Sequence, residues 1–111
     1  MNFKAVCLGA IAAGTLMIGN VAVAADGAEL YKAKVCHTCH GEDGNTPTAP
    51  IYPKVGGQTK EYISTQMKDI RDGKRANGMS AVMKATVAAV TDEEFDAIAA
   101  WLAEQDPCAK K

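Results

Sequence analysis

Two cysteines and two histidines within five residues, Cys36-His37-Thr38-Cys39-His40, constrain this chain more than any other feature. The C-x-x-C spacing sets two thiols three positions apart, on one face of a helical turn. Both can then reach one flat partner, with the imidazole of His40 directed beneath it. C-x-x-C-H is the attachment signature of a c-type haem. On that reading Cys36 and Cys39 can each add to a vinyl group of one porphyrin, and His40 is expected to supply an axial ligand to its iron. Two other readings of a C-x-x-C pair fit less well. A structural zinc site takes about four protein ligands, and the only other cysteines and histidines are Cys7, Cys108 and His37. A thioredoxin-like redox pair belongs in a βαβ context, and no such pattern follows here.

The N-terminus reads as a secretory signal. Lys4 supplies a positive start, Val6 to Ile18 is an apolar core, and Val21-Ala22-Val23-Ala24 offers small residues for an A-x-A cleavage site. This predicts a signal peptide over residues 1–24, cleaved after Ala24, and a mature domain over residues 25–111. An uncleaved anchor is the competing reading, but the apolar stretch is short for a span of about 20 residues. Export also suits the haem motif, because exported thiols enter an oxidising space where they can be processed for ligation. Cys7 leaves with the signal.

The mature chain has 87 residues, enough for one small domain with a limited core of its own. A large apolar cofactor at its centre would supply much of the missing buried surface. Without Lys4 it carries 11 basic and 13 acidic side chains, a formal balance of −2. There is no basic stripe of the kind nucleic acid requires. No second apolar segment is long enough to act as a stable membrane anchor.

Three helices are predicted. The first runs from about Gly27 into the haem motif, with Leu30, Tyr31 and Val35 at near-helical spacing. The second runs from about Thr59 to Asp72, with Ile63, Met67 and Ile70 as its apolar stripe and Gly73 as its stop. The third runs from about Asp92 to Glu104. Thr91 and Glu94 form a capping box there, and Phe95, Ile98, Trp101 and Leu102 line the buried face. A weaker helical turn falls around Ser80 to Val87. Between the first two helices, Gly41 to Gly57 holds so many glycines and prolines that neither helix nor regular strand can form. A loop this long in so small a domain wraps something or is functional. No strand alternation is visible, so the fold class is all-α.

These residues together resemble the short class I c-type cytochromes of the bacterial periplasm. The nearest pattern is a haem domain of the c-four type, and the chain is also similar to the small c-553 type. The likeness covers nearly the whole mature chain. Tyr31-x4-Cys36-x-x-Cys39-His40-Gly41-x-Asp43-Gly44-Asn45 resembles the family's first helix and haem loop. Tyr52-Pro53-Lys54-Val55-Gly56-Gly57-Gln58 resembles its F-P-K-L-A-G-Q stretch. The resemblance implies three to four helices around one covalent haem c, a periplasmic location and a methionine as second iron ligand. Met17 leaves with the signal, and Met67 reads as a core gap-filler. Met83 and Met79 remain. In the resembling sequences the ligand lies eight positions before the Ser or Thr that opens the last helix, which from Thr91 falls on Met83.

The resemblance also implies that the Pro53 carbonyl accepts a hydrogen bond from the His40 ring, although a plain turn proline is the alternative. His37 is expected to be an exposed bystander, Tyr31 and Trp101 to pack where the first and last helices cross, and Lys74 and Arg75 to form a solvated pair. The chain departs from the c-four pattern in having a single C-x-x-C-H, so electron exchange between haems is intermolecular. Cys108 is left unpaired after haem ligation and could form a dimer or tether to a partner.

The leading functional expectation is a soluble periplasmic electron carrier that meets redox partner proteins at an exposed haem edge. The alternative is a haem subunit of a periplasmic dehydrogenase. A third, an open-site haem enzyme or gas sensor, requires that no methionine reach the iron.

Overall fold

The computed structural model describes residues 26–108, so the expected signal peptide and its cleavage site lie outside the described residues. Among these residues there are five helices and no strand: α1 (Gly27–Ala33), α2 (His37–His40), α3 (Lys60–Arg71), α4 (Ser80–Val87) and α5 (Asp92–Ala103). The all-α expectation holds.

Local chemistry explains the ends of α3 and α5. Thr59 caps α3, its side chain accepting from the Tyr62 amide. At α5 both halves of the capping box form: the Glu94 amide donates to Thr91 Oγ1 at 3.2 Å, and the Thr91 amide to Glu94 Oε1 at 3.0 Å. Each bond satisfies an amide that helix geometry would otherwise leave unpaired.

α5 is the central element, packing on α1 at one side and on α3 at the other, while α3 also packs on α4. Phe95, Ile98, Ala99 and Leu102 form its buried stripe. Ile63, Met67 and Ile70 of α3, Tyr31 of α1, and Val87 with Val90 complete the core. Met67 thus has the core role expected of it. Polar links lock the seams. Ser64 Oγ donates to Asp96 Oδ1 at 2.6 Å, and Lys68 Nζ reaches the same oxygen at 3.1 Å, joining α3 to α5. Lys34 Nζ meets Glu94 at 3.1 Å and ties the end of α1 to the start of α5.

Where α1 and α5 cross, the backbones come too close for a side chain. A Cβ on Gly27 would overlap the Ala97 carbonyl oxygen and sit 2.8 Å from Trp101 Cβ. The rings of Tyr31 and Trp101 meet beside this crossing with centroids 4.9 Å apart, a favourable tilted aromatic contact, as expected.

The first helix departs from expectation. It does not run into the cysteine motif but stops at Ala33, and α2 begins separately at His37. The Cys36 amide donates to Tyr31 O and the Val35 amide to Lys32 O, each at 3.0 Å. That pair of bonds is a Schellman stop, whose left-handed residue is usually glycine. Here it is Val35, at φ 57°, and its side chain is 50% exposed rather than on the buried face the periodicity suggested. A β-branched residue in the left-handed region is strained by about 1–2 kcal/mol. Val35→Gly should therefore stabilise the holoprotein by about 0.5–1 kcal/mol after the extra entropy of an unfolded glycine. Thermal unfolding should shift upward by about 2–6 °C. A lowered midpoint would show that the valine side chain packs more than its exposure indicates.

Candidate haem-attachment site

The stop at Val35 positions the motif. Cys36 follows it directly, and the His40 amide closes one helical turn onto Cys36 O at 3.1 Å. Cys36 and Cys39 therefore project from one turn, both half-buried and both free thiols. Burial pushes the Cys36 thiol up to about 11. Gly41 ends the turn at φ 85°, where a Cβ would run into the backbone of Thr46. Its carbonyl accepts from the buried Tyr31 hydroxyl at 2.7 Å, so α1 holds the far end of the motif as well as its start.

His40 is buried, and its Nδ1 lies 2.9 Å from the Pro53 carbonyl oxygen. A carbonyl only accepts, so Nδ1 carries the proton and Nε2 presents its lone pair. Such a contact fixes the orientation of a ligating imidazole and raises its basicity. The Pro53 partner implied by the resemblance is thus in place.

The loop after Gly41 is built around the motif. The Thr48 amide donates to Cys39 O at 3.1 Å, and Thr48 Oγ1 to Thr38 O at 2.9 Å. Asp43 Oδ1 accepts from the Asn45 amide at 2.9 Å and from Thr46 Oγ1 at 3.2 Å. Asn45 Nδ2 reaches across to Asp106 O at 2.9 Å, and the Gly57 amide to Leu102 O at 2.9 Å. Asp43 and Asn45 were assigned no individual role from the sequence, yet both are buried and staple the loop to itself and to the C-terminal tail. The G-x-D-G-N run was the available signal, since Asp and Asn bond to nearby backbone in turns.

Other predicted residues divide. Met83 on α4 is half-buried against the core, whereas Met79 at the α4 N-cap is 40% exposed. Cys108 is exposed, its amide held by Asp106 Oδ1 at 2.9 Å. Two expectations need correction. His37 is half-buried rather than exposed, and its Nδ1 is buried with no hydrogen-bond partner among the described residues. Lys74 and Arg75 are not a simple solvated pair either. Lys74 is exposed, but Arg75 is half-buried and its Nη1 donates to Gln66 Oε1 at 3.3 Å.

These features fit a covalent haem. Two free thiols sit on one turn, beside an imidazole whose second nitrogen is already committed to a carbonyl. Large apolar side chains at Ile51 and Val82 remain about 60% exposed in the polypeptide alone, as expected of surfaces that a porphyrin would cover.

Comparison with known proteins agrees. The Cytochrome c family model matches residues 24–106. The chain is 45% identical over 74 residues to cytochrome c4 of Pseudomonas aeruginosa, covering 67% of this chain and 35% of that protein. It is 39% identical over 75 residues to cytochrome c-554(548) of Halomonas halodenitrificans, covering 68% of this chain and 89% of that one. It is 37% identical over 94 residues to a thiosulfate dehydrogenase electron acceptor of Stutzerimonas stutzeri, covering 78% of this chain and 42% of that protein. Among solved structures, reduced recombinant cytochrome c4 from Pseudomonas stutzeri superposes with a TM-score of 0.58 at 33% identity, covering 74% of this chain and 47% of that one. The chain belongs to the cytochrome c family. Within it, the chain is of the class I, c4-like type, an all-α fold with covalently bound haem c. It spans less than half the length of the c4 relatives it matches.

Proposed function

We propose that this chain is a soluble periplasmic electron carrier with one haem c, attached through Cys36 and Cys39 and ligated by His40 and Met83. The observation that carries this reading is the 2.9 Å contact between His40 Nδ1 and Pro53 O, which leaves Nε2 as a fixed, basic ligand. The haem supplies a one-electron couple. The chain's own residues hold it. Cys36 and Cys39 prevent its loss, Pro53 sets the imidazole, and the core stripe of α5 keeps water from the interior. Met83 is favoured over Met79 because it rests half-buried on the core while Met79 is more exposed. Thioether ligation and burial favour a high potential.

Two filled axial positions argue against an enzyme. No described helix is long and apolar enough to cross a membrane, and the signal-like N-terminus supports export of a domain beginning at Ala25. Redox partner proteins dock where the haem edge is exposed. The likeness to a protein named as an acceptor for thiosulfate dehydrogenase supports a dehydrogenase as electron donor. Cys108, exposed on the tail, offers a tether or a dimer contact.

Carbon monoxide tests the closed site. The native ferrous protein should bind it slowly and incompletely at neutral pH, because Met83 must first leave the iron. Rapid stoichiometric binding would replace this reading with the open-site enzyme or sensor.

A further inference from the structure

The residue that ends α3 also grips the start of α5. Residues 72–91 leave α3 at Arg71, carry α4 with Met79 and Met83, and return to α5 at Asp92. Arg71 is half-buried, and its guanidinium carbon lies 5.2 Å from the centroid of the buried Phe95 ring, within cation–π reach. On the near side, Nε and Nη2 donate to the two carboxylate oxygens of Asp72 at 2.8 and 3.2 Å. On the far side, Nη1 donates to the Val90 carbonyl oxygen at 3.1 Å and meets Asp92 Oδ1 at 2.7 Å. Asp72 thus orients the fork, and Val90 and Asp92 close the segment at its base.

The guanidinium suits this task because its donors lie in one plane in a fixed fork. It serves three acceptors at once, where a lysine ammonium is a single point on a flexible stem. Closing the base limits where α4 can sit. Val87 at the end of α4 and Val90 beyond it are both buried in the core, so the contact at Val90 O lies close to the packing of α4 itself. A second seam joins the same two helices without touching residues 72–91. It is the pair of bonds from Ser64 and Lys68 to Asp96, at 2.6 and 3.1 Å. The two seams separate the pairing of α3 with α5 from the closing of the segment.

We infer that Arg71 is a positioning residue for the axial methionine: by closing the base of residues 72–91 it sets how firmly the thioether holds the iron. This rests on the proposal that Met83 ligates the haem. An open base admits conformations in which α4 and its sulfur have left the iron. An added ligand samples that open fraction, so its apparent affinity rises in proportion to it.

The test uses the purified ferric holoprotein and imidazole as the added ligand. Wild type must first show the near-infrared sulfur-to-iron band. Its absence would remove the methionine reading and this inference with it. With the band present, Arg71→Lys should bind imidazole about tenfold more tightly than wild type, as expected for loss of hydrogen bonds to charged groups. Asp96→Ala breaks the other seam. It should lower the thermal midpoint and leave the imidazole affinity as in wild type. An unchanged affinity in Arg71→Lys, or an equal rise in Asp96→Ala, overturns the inference while the methionine reading stands. Asp92→Asn covers the case in which Arg71→Lys loads too little haem to titrate. It weakens one far contact only and should raise the affinity about threefold. An unchanged affinity there overturns the inference equally.

Discussion

Replacing both Cys36 and Cys39 with alanine should abolish the folded state, not merely the colour. Among the described residues, the polypeptide's own core consists of ten buried apolar residues clustered about α5. Such a core seldom supplies more than about 3–5 kcal/mol in a domain of this size. The 41–57 loop contains neither helix nor strand and is fastened chiefly by bonds to the cysteine turn and the tail. Ile51 and Val82 have no full cover from protein atoms. Burying a porphyrin removes apolar surface on the order of several hundred Å², worth on the order of 10 kcal/mol at about 25 cal/mol per Å². That equals the whole stability of a typical domain, about 5–15 kcal/mol. The double variant should lose most of its far-UV helical signal and its cooperative thermal transition. Each single variant keeps one anchoring cysteine and should fold with reduced yield. A haem-free double variant that unfolds cooperatively, with full helix content, would show that the polypeptide core suffices.

How much of this was legible beforehand depends on whether a residue's chemistry is local. Thr59, Thr91 and Glu94 act on amides within three residues of themselves, so α3 and α5 could be placed to within a residue. The stop between α1 and α2 was missed because Val35 carries no turn signal. Its left-handed backbone is imposed by the bonds at Tyr31 O and Lys32 O, while its apolar character suggested a continued helix. His37 misled for a related reason. Its sequence neighbours are ligand-bearing, and helical spacing placed its side chain away from them without recording that it is half-buried, with Nδ1 buried. The reach of Asn45 to Asp106 spans 61 positions, and no periodicity records such a contact. The Pro53 contact with His40 was anticipated only through resemblance, since nothing in the spacing of a proline and a histidine 13 positions apart implies it.

Met83→Ala should produce the largest change in redox behaviour. Met83 lies on α4, which packs against α3 and anchors Val87 in the core, so its thioether is carried by a fixed element rather than a free loop. It is half-buried against the core cluster, beside the same interior that receives Cys36. A methionine opposite histidine raises the potential of a cytochrome c because the soft sulfur favours ferrous iron. Axial ligands command a range of about 0.8 V in haem proteins, and losing the thioether should lower the midpoint by on the order of 0.1–0.2 V. The weak near-infrared sulfur-to-iron band of the ferric protein should vanish, and the ferrous protein should gain rapid, stoichiometric carbon monoxide binding. Secondary structure should survive, because the other core residues of α3, α4 and α5 remain. Met79→Ala is the matched control. Met79 is 40% exposed at the N-cap of α4 and should leave the band, the potential and the carbon monoxide behaviour as in wild type. The opposite pattern, with the band lost in Met79→Ala and kept in Met83→Ala, would transfer the ligand to Met79. Loss in neither would leave the iron without a methionine and bring back the open-site reading.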